Sequence, residues 1–147
     1  MGALILPSAG LVYLDANSVI YSVEKHPLYW PLLQPLWQAA KGGSVEVVSS
    51  DLVLLETLVG PFKSGNTALA NDYEQLFRQP QTRLVAITQP ILRQAAKLRA
   101  TTKLKTPDAL HAATAQALAC ALFVTNDVGF RGLTNLPVVI LNDLLGP

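Results

Sequence analysis

The chain has 147 residues, 50% hydrophobic and 14% charged, with one cysteine and a formal net charge of +1. That length reads as a single domain over residues 1–147, with too large an apolar fraction for extended disorder. The Ala-rich stretch from Ala109 to Val124 is broken by His111, Thr114 and Gln116, so it falls short of the roughly 18 apolar residues a membrane span needs.

Apolar runs alternate with helical patterns along the chain, the mark of a parallel sheet flanked by helices. A strand is predicted over residues 11–14, then helices over 18–24 and 31–41. Gly42 and Gly43 close the second helix ahead of a strand over 45–49. A helix over 51–59 should end where Gly60 and Pro61 open a loop that runs through Lys63, Ser64, Gly65 and Asn66. A helix over 68–78, a strand over 83–87 and helices over 90–103 and 107–120 follow. The pattern closes with strands over 121–125 and 138–141, separated by a short turn over 127–131. Met1 to Gly10 carries no basic leader before its apolar patch, so a cytoplasmic protein with no membrane partner is expected. Cys120, among Ala119, Ala121 and Leu122, reads as a small buried filler.

Four of the ten acids stand at predicted element ends. Asp15 follows the apolar run Leu11 to Leu14, where it suits a metal ligand or a cap for the next helix. Glu56 lies inside Leu52 to Val59, among neighbours that are nearly all apolar, and a buried carboxylate needs a partner or a metal. Asp108 follows Thr106 and Pro107, read as the N-cap and first residue of a helix, so it sits near the positive end of the helix dipole. Asp127 follows the run Leu122 to Asn126. In an open parallel sheet the crevice lies beyond the carboxyl ends of the strands, and a crossover helix runs antiparallel to them. All four acids can therefore meet at one edge. Carboxylates so gathered suit hard divalent cations, which activate water against a phosphodiester.

These segments resemble the PIN-domain ribonucleases, most closely the VapC-type toxins of prokaryotic toxin–antitoxin pairs. The resemblance rests on Tyr13-Leu14-Asp15-Ala16-Asn17-Ser18-Val19-Ile20, on Leu55-Glu56, on Thr106-Pro107-Asp108-Ala109-Leu110-His111-Ala112-Ala113, and on Val124-Thr125-Asn126-Asp127 with Phe130. It implies a three-layer α/β/α sandwich around a central, mainly parallel sheet. It also implies an endoribonuclease that uses Mg2+, with Mn2+ able to substitute, to cleave single-stranded RNA to a 3'-hydroxyl and a 5'-phosphate. A cognate antitoxin and a homodimer are the implied partners. By the same resemblance Asp15, Asp108 and Asp127 hold the metal, and Glu56 helps hold it or orients the attacking water. Many relatives carry a further acid just after the fourth, where this chain has Val128 and Gly129, which favours one firmly held ion over two. A housekeeping RNA-processing nuclease without an antitoxin, or a non-catalytic scaffold that binds RNA or protein, are the alternatives.

Asn17 and Thr125 read as groups that orient a carboxylate or a metal-bound water, and Asn17 reads equally as a helix cap. His111, three residues after Asp108, suits either a substrate phosphate or a packing role among alanines. Arg93, Lys97, Arg99 and Lys103 share one arc of a helix opposite Ile91, Ala95 and Leu98. Lys103 and Lys105 lead from that arc towards Asp108 as candidates for RNA phosphate. Without the four acids, six acids face eleven Lys and Arg, a balance of +5 that an anionic polymer would meet. Trp30 and Trp37 fall in one stretch, read as core, dimer contact or a groove for an antitoxin segment. A haloacid-dehalogenase-type phosphatase would need an acid at Asn17, and a receiver domain an acid at Ala16.

Overall fold

The computed structural model describes residues 2–146. Five strands, β1 (Leu11–Leu14), β2 (Glu46–Ser50), β3 (Thr82–Val85), β4 (Leu122–Thr125) and β5 (Val138–Ile140), form one sheet in the order β3-β2-β1-β4-β5. Every pairing is parallel, with Tyr13 level with Val48 on one side and Phe123 on the other. The helices are α1 (Ala16–Val23), α2 (Trp30–Lys41), α3 (Leu52–Ser64), α4 (Thr67–Phe77), α5 (Gln89–Thr101) and α6 (Thr106–Ala117).

Alternation along the strands divides the core in two. Val12, Leu14, Val47 and Val124 pack with Val19 of α1, Leu33 and Leu36 of α2 and Tyr73 of α4. Tyr13, Val48 and Phe123 face the other way, onto Ile91, Ala95 and Leu98 of α5 and the alanines of α6. The layers are those of the α/β/α sandwich, and the buried face of α5 is the stripe its sequence marked. Cys120 lies in the second core, where burial pushes its thiol up to about 11. None of the described helices is long and apolar enough to cross a membrane.

Three local expectations are corrected. The helix expected to stop at Val59 continues to Ser64 with Pro61 inside it. The Pro61 ring is buried and its carbonyl accepts from the Asn66 amide, and the helix ends where Gly65 turns left-handed at φ 68°. The α1 helix starts two residues early, because Asp15 caps it directly from the end of β1. Lys105, not Thr106, occupies the N-cap of α6, and the Thr106 hydroxyl accepts from Arg99 instead.

Candidate active site at the carboxyl edge of the sheet

The centre of the sheet presents its carboxyl ends together, since β1 and β4 are adjacent and parallel. Asp15 leaves β1 there, and Thr125 closes β4 beside it. Asp15 is 7% exposed; its Oδ1 accepts the Ser18 amide at 3.1 Å, and its Oδ2 accepts the Thr125 hydroxyl at 2.5 Å. The fully buried Thr125 oxygen also accepts the Asp127 amide at 3.1 Å. One hydroxyl thus sets the spacing of two candidate acids. The Asp127 carboxylate caps a 3-10 turn over Val128–Phe130 by accepting the Gly129 amide at 2.8 Å, and it is exposed.

Asp108 lies in the first turn of α6, half-buried. Burial raises its carboxyl above the usual range, and the charges of Asp127, Asp15 and Glu56 raise it further, against an opposing pull from His111. Burial likewise raises Asp15, opposed by the Thr125 hydrogen bond and by His111. The four acids expected to meet therefore share one electrostatic field. Among the described residues, the ion pairs of Lys and Arg fall on Glu74, Glu46 and Asp143 and on none of these four. Hard carboxylate oxygens that repel one another and lack a cationic side chain suit a divalent cation. As placed, no three His, Cys, Asp or Glu of the described residues stand close enough to hold one ion by themselves.

His111 occupies a different place from the substrate contact considered above. It is 1% exposed, with Nδ1 2.6 Å from the Tyr13 hydroxyl and Nε2 2.6 Å from Glu56 Oε1. Enclosure and two engaged ring nitrogens remove it from contact with an RNA phosphate. Burial holds the Tyr13 phenol protonated, far above its usual range. A tyrosine that donates to Nδ1 leaves Nε2–H to donate to the Glu56 carboxylate, so one neutral tautomer satisfies all three groups. Tyr13 was missed at the sequence level, although it stands only two residues before Asp15, near the end of β1. Asn17 is exposed in the first turn of α1 and makes no side-chain hydrogen bond to the described acids. Lys103 and Lys105 are exposed in the segment between α5 and α6. Trp37 donates to the Ser22 hydroxyl at 2.9 Å, and with Trp30 it lines a groove of about 350 Å³ against Asp72 and Leu76 of α4.

The PIN domain family model matches residues 12–136, a span that contains all four acids. The chain belongs to the PIN domain family. A chain of VapBC2 from Rickettsia felis, solved bound to a DNA fragment from the promoter, has the same fold at a TM-score of 0.71 and 22% identity, with 88% of this PIN domain chain and 98% of that chain covered. A toxin–antitoxin complex from Klebsiella pneumoniae contains a similar chain at a TM-score of 0.64 and 22% identity, with 88% and 97% covered. Among curated proteins, none matches.

Proposed function

We propose that this PIN domain is a metal-dependent endoribonuclease that cleaves single-stranded RNA, and that it is the toxin of a type II toxin–antitoxin pair. The observation that carries the reading is the shared field of Asp15, Glu56, Asp108 and Asp127 at one sheet edge without a Lys or Arg counterion. Asp15, Asp108 and Asp127 are the residues that would hold Mg2+ or Mn2+, partly through water, since hard cations with few protein ligands keep a hydration shell. When bound, such an ion lowers the pKa of its water and offsets charge on the phosphate.

The chain's own groups have separable roles. Glu56, with one oxygen held by His111, is left a second oxygen with which to orient water. Thr125 keeps Asp15 and Asp127 in register, and the exposed Asn17 would support the same edge only through water. Lys103 and Lys105 meet the RNA backbone. The exposed Leu55, Val59 and Phe62 on α3 support association with protein, in keeping with a homodimer and an antitoxin. The nuclease reading is tested by cleavage of single-stranded RNA with and without the metal. The toxin role is tested by the neighbouring reading frame, which should encode a small DNA-binding antitoxin.

A further inference from the structure

The segment between α1 and α2 carries an aromatic cluster that the carboxylate site does not use. The rings of Tyr21 and His26 are 5.1 Å apart, those of Tyr21 and Tyr29 4.6 Å, and those of His26 and Tyr29 4.7 Å with planes 27° apart. Tyr21 and Tyr29 pack one side against the first core, yet all three rings stay half-buried, whereas Tyr13, Tyr73, Phe123 and Phe130 are fully enclosed. The loop is held in a defined shape. The His26 amide donates to the Tyr21 carbonyl, the Trp30 amide to the His26 carbonyl, and the Leu28 amide to His26 Nδ1 at 3.1 Å, which fixes the imidazole. Lys25 is exposed and left-handed at φ 52°, a conformation unusual for a residue with a Cβ.

Side-chain bonds tie this cluster to the acid edge. Asn126, the residue before Asp127, donates to the Tyr21 hydroxyl at 3.4 Å and accepts the Asn142 amide at 2.8 Å. The Tyr29 hydroxyl in turn donates to Asn142 Oδ1 at 3.0 Å. The rings are thus joined, through Asn126 and Asn142, to the residue that precedes Asp127. Partly exposed rings linked to the proposed acid site suit the unstacked bases of a single strand, since every base has a π-face and aromatic stacking tolerates sequence.

We propose that Tyr21, His26 and Tyr29 form a stacking subsite for a nucleobase flanking the scissile phosphate, with Lys25 meeting the adjoining backbone. This rests on the endoribonuclease reading above and names how its substrate is held. The probe is a short labelled single-stranded oligoribonucleotide, intact or with one abasic nucleotide placed at each position in turn. Binding to the Asp108→Asn chain is read by anisotropy with Mg2+ present. At one position the abasic nucleotide should cost about tenfold in affinity, in the range of one base stacked on an aromatic side chain. Adding His26→Ala and Tyr29→Ala should abolish that cost, while His26→Phe, which keeps a ring, should preserve it. Equal weakening of intact and abasic RNA by the ring variants would overturn the subsite, as would an apolar peptide that occupies the rings while RNA affinity ignores them. Wild-type cleavage with no abasic sensitivity refutes the subsite and leaves the nuclease standing. Ring-dependent binding by a chain that never cleaves does the reverse.

Discussion

His111 Nε2 lies 2.6 Å from Glu56 Oε1, so a buried imidazole of α6 holds a carboxylate of α3 at the edge of the sheet. Its other nitrogen meets Tyr13 of β1, and the three residues form one hydrogen-bonded chain across three elements. Tyr13→Phe leaves His111 Nδ1 without its partner, and His111→Leu takes the imidazole partner from a fully buried phenol. Each should cost roughly 1–3 kcal/mol, because a stranded buried polar group loses its solvation. The double variant should cost clearly less than the sum, since both polar partners are gone. Urea unfolding of the four proteins measures this, and strict additivity would count against a coupled chain. Cleavage should fall further in His111→Leu, which frees Glu56, than in Tyr13→Phe.

Thr125 offers a sharper separation of side-chain shape from hydrogen bonding. Thr125→Val keeps the branched shape but strands Asp15 Oδ2 and the Asp127 amide, with a cost of roughly 1–3 kcal/mol. Thr125→Ser keeps the hydroxyl and should retain most cleavage. Equal activity in the two variants would remove Thr125 from the support of the site.

Much of this was legible in the chain. Asp15 comes directly after an apolar run and Asp127 two residues after the end of β4, so their arrival at the carboxyl edge follows from strand polarity. The alternation of Val12, Tyr13 and Leu14 assigns each to a core, and Ile91, Ala95 and Leu98 mark the buried face of α5. The contact of His111 with Glu56 was not legible, because nothing local encodes a pairing across 55 positions. Gly60 and Pro61 misled for a related reason: burial of the proline ring and a left-handed Gly65 carry the helix past a local breaker.

Burial of Asp108, together with the neighbouring acids, has a consequence for stability. A carboxyl raised in the folded state binds protons there that the unfolded chain has already released. Its contribution therefore favours folding at low pH and is lost as pH rises from the ordinary carboxylate range through the raised value. At neutral pH in chelator, Asp108→Asn should melt above wild type, by roughly 2–4 °C for each kcal/mol relieved. Added Mg2+ should raise the wild-type midpoint and leave the variant nearly unmoved. Thermal scans across pH check both, and a variant that melts below wild type in chelator would contradict an Asp108 carboxyl held unfavourably by burial and neighbouring charge.

Gly129 bears on the fourth acid. A Cβ at this position would stand 3.1 Å from Asp127 Oδ1, so Gly129→Ala must displace that oxygen by a few tenths of an ångström. Cleavage should drop, by about tenfold on the general sensitivity of catalytic groups to small misplacements, with a melting temperature close to wild type. An alanine variant of full activity would mean that the position of Asp127 does not govern the reaction.

The acids at the sheet edge are proposed to make this chain a metal-dependent endoribonuclease. The most direct test is cleavage of a defined single-stranded RNA by the purified protein, with Mg2+ or Mn2+ and with excess chelator, beside Asp15→Asn and Asp108→Asn. The prediction is cleavage by wild type only with metal and none by either folded variant, whereas undiminished cleavage in chelator, or full activity in both variants, would contradict it.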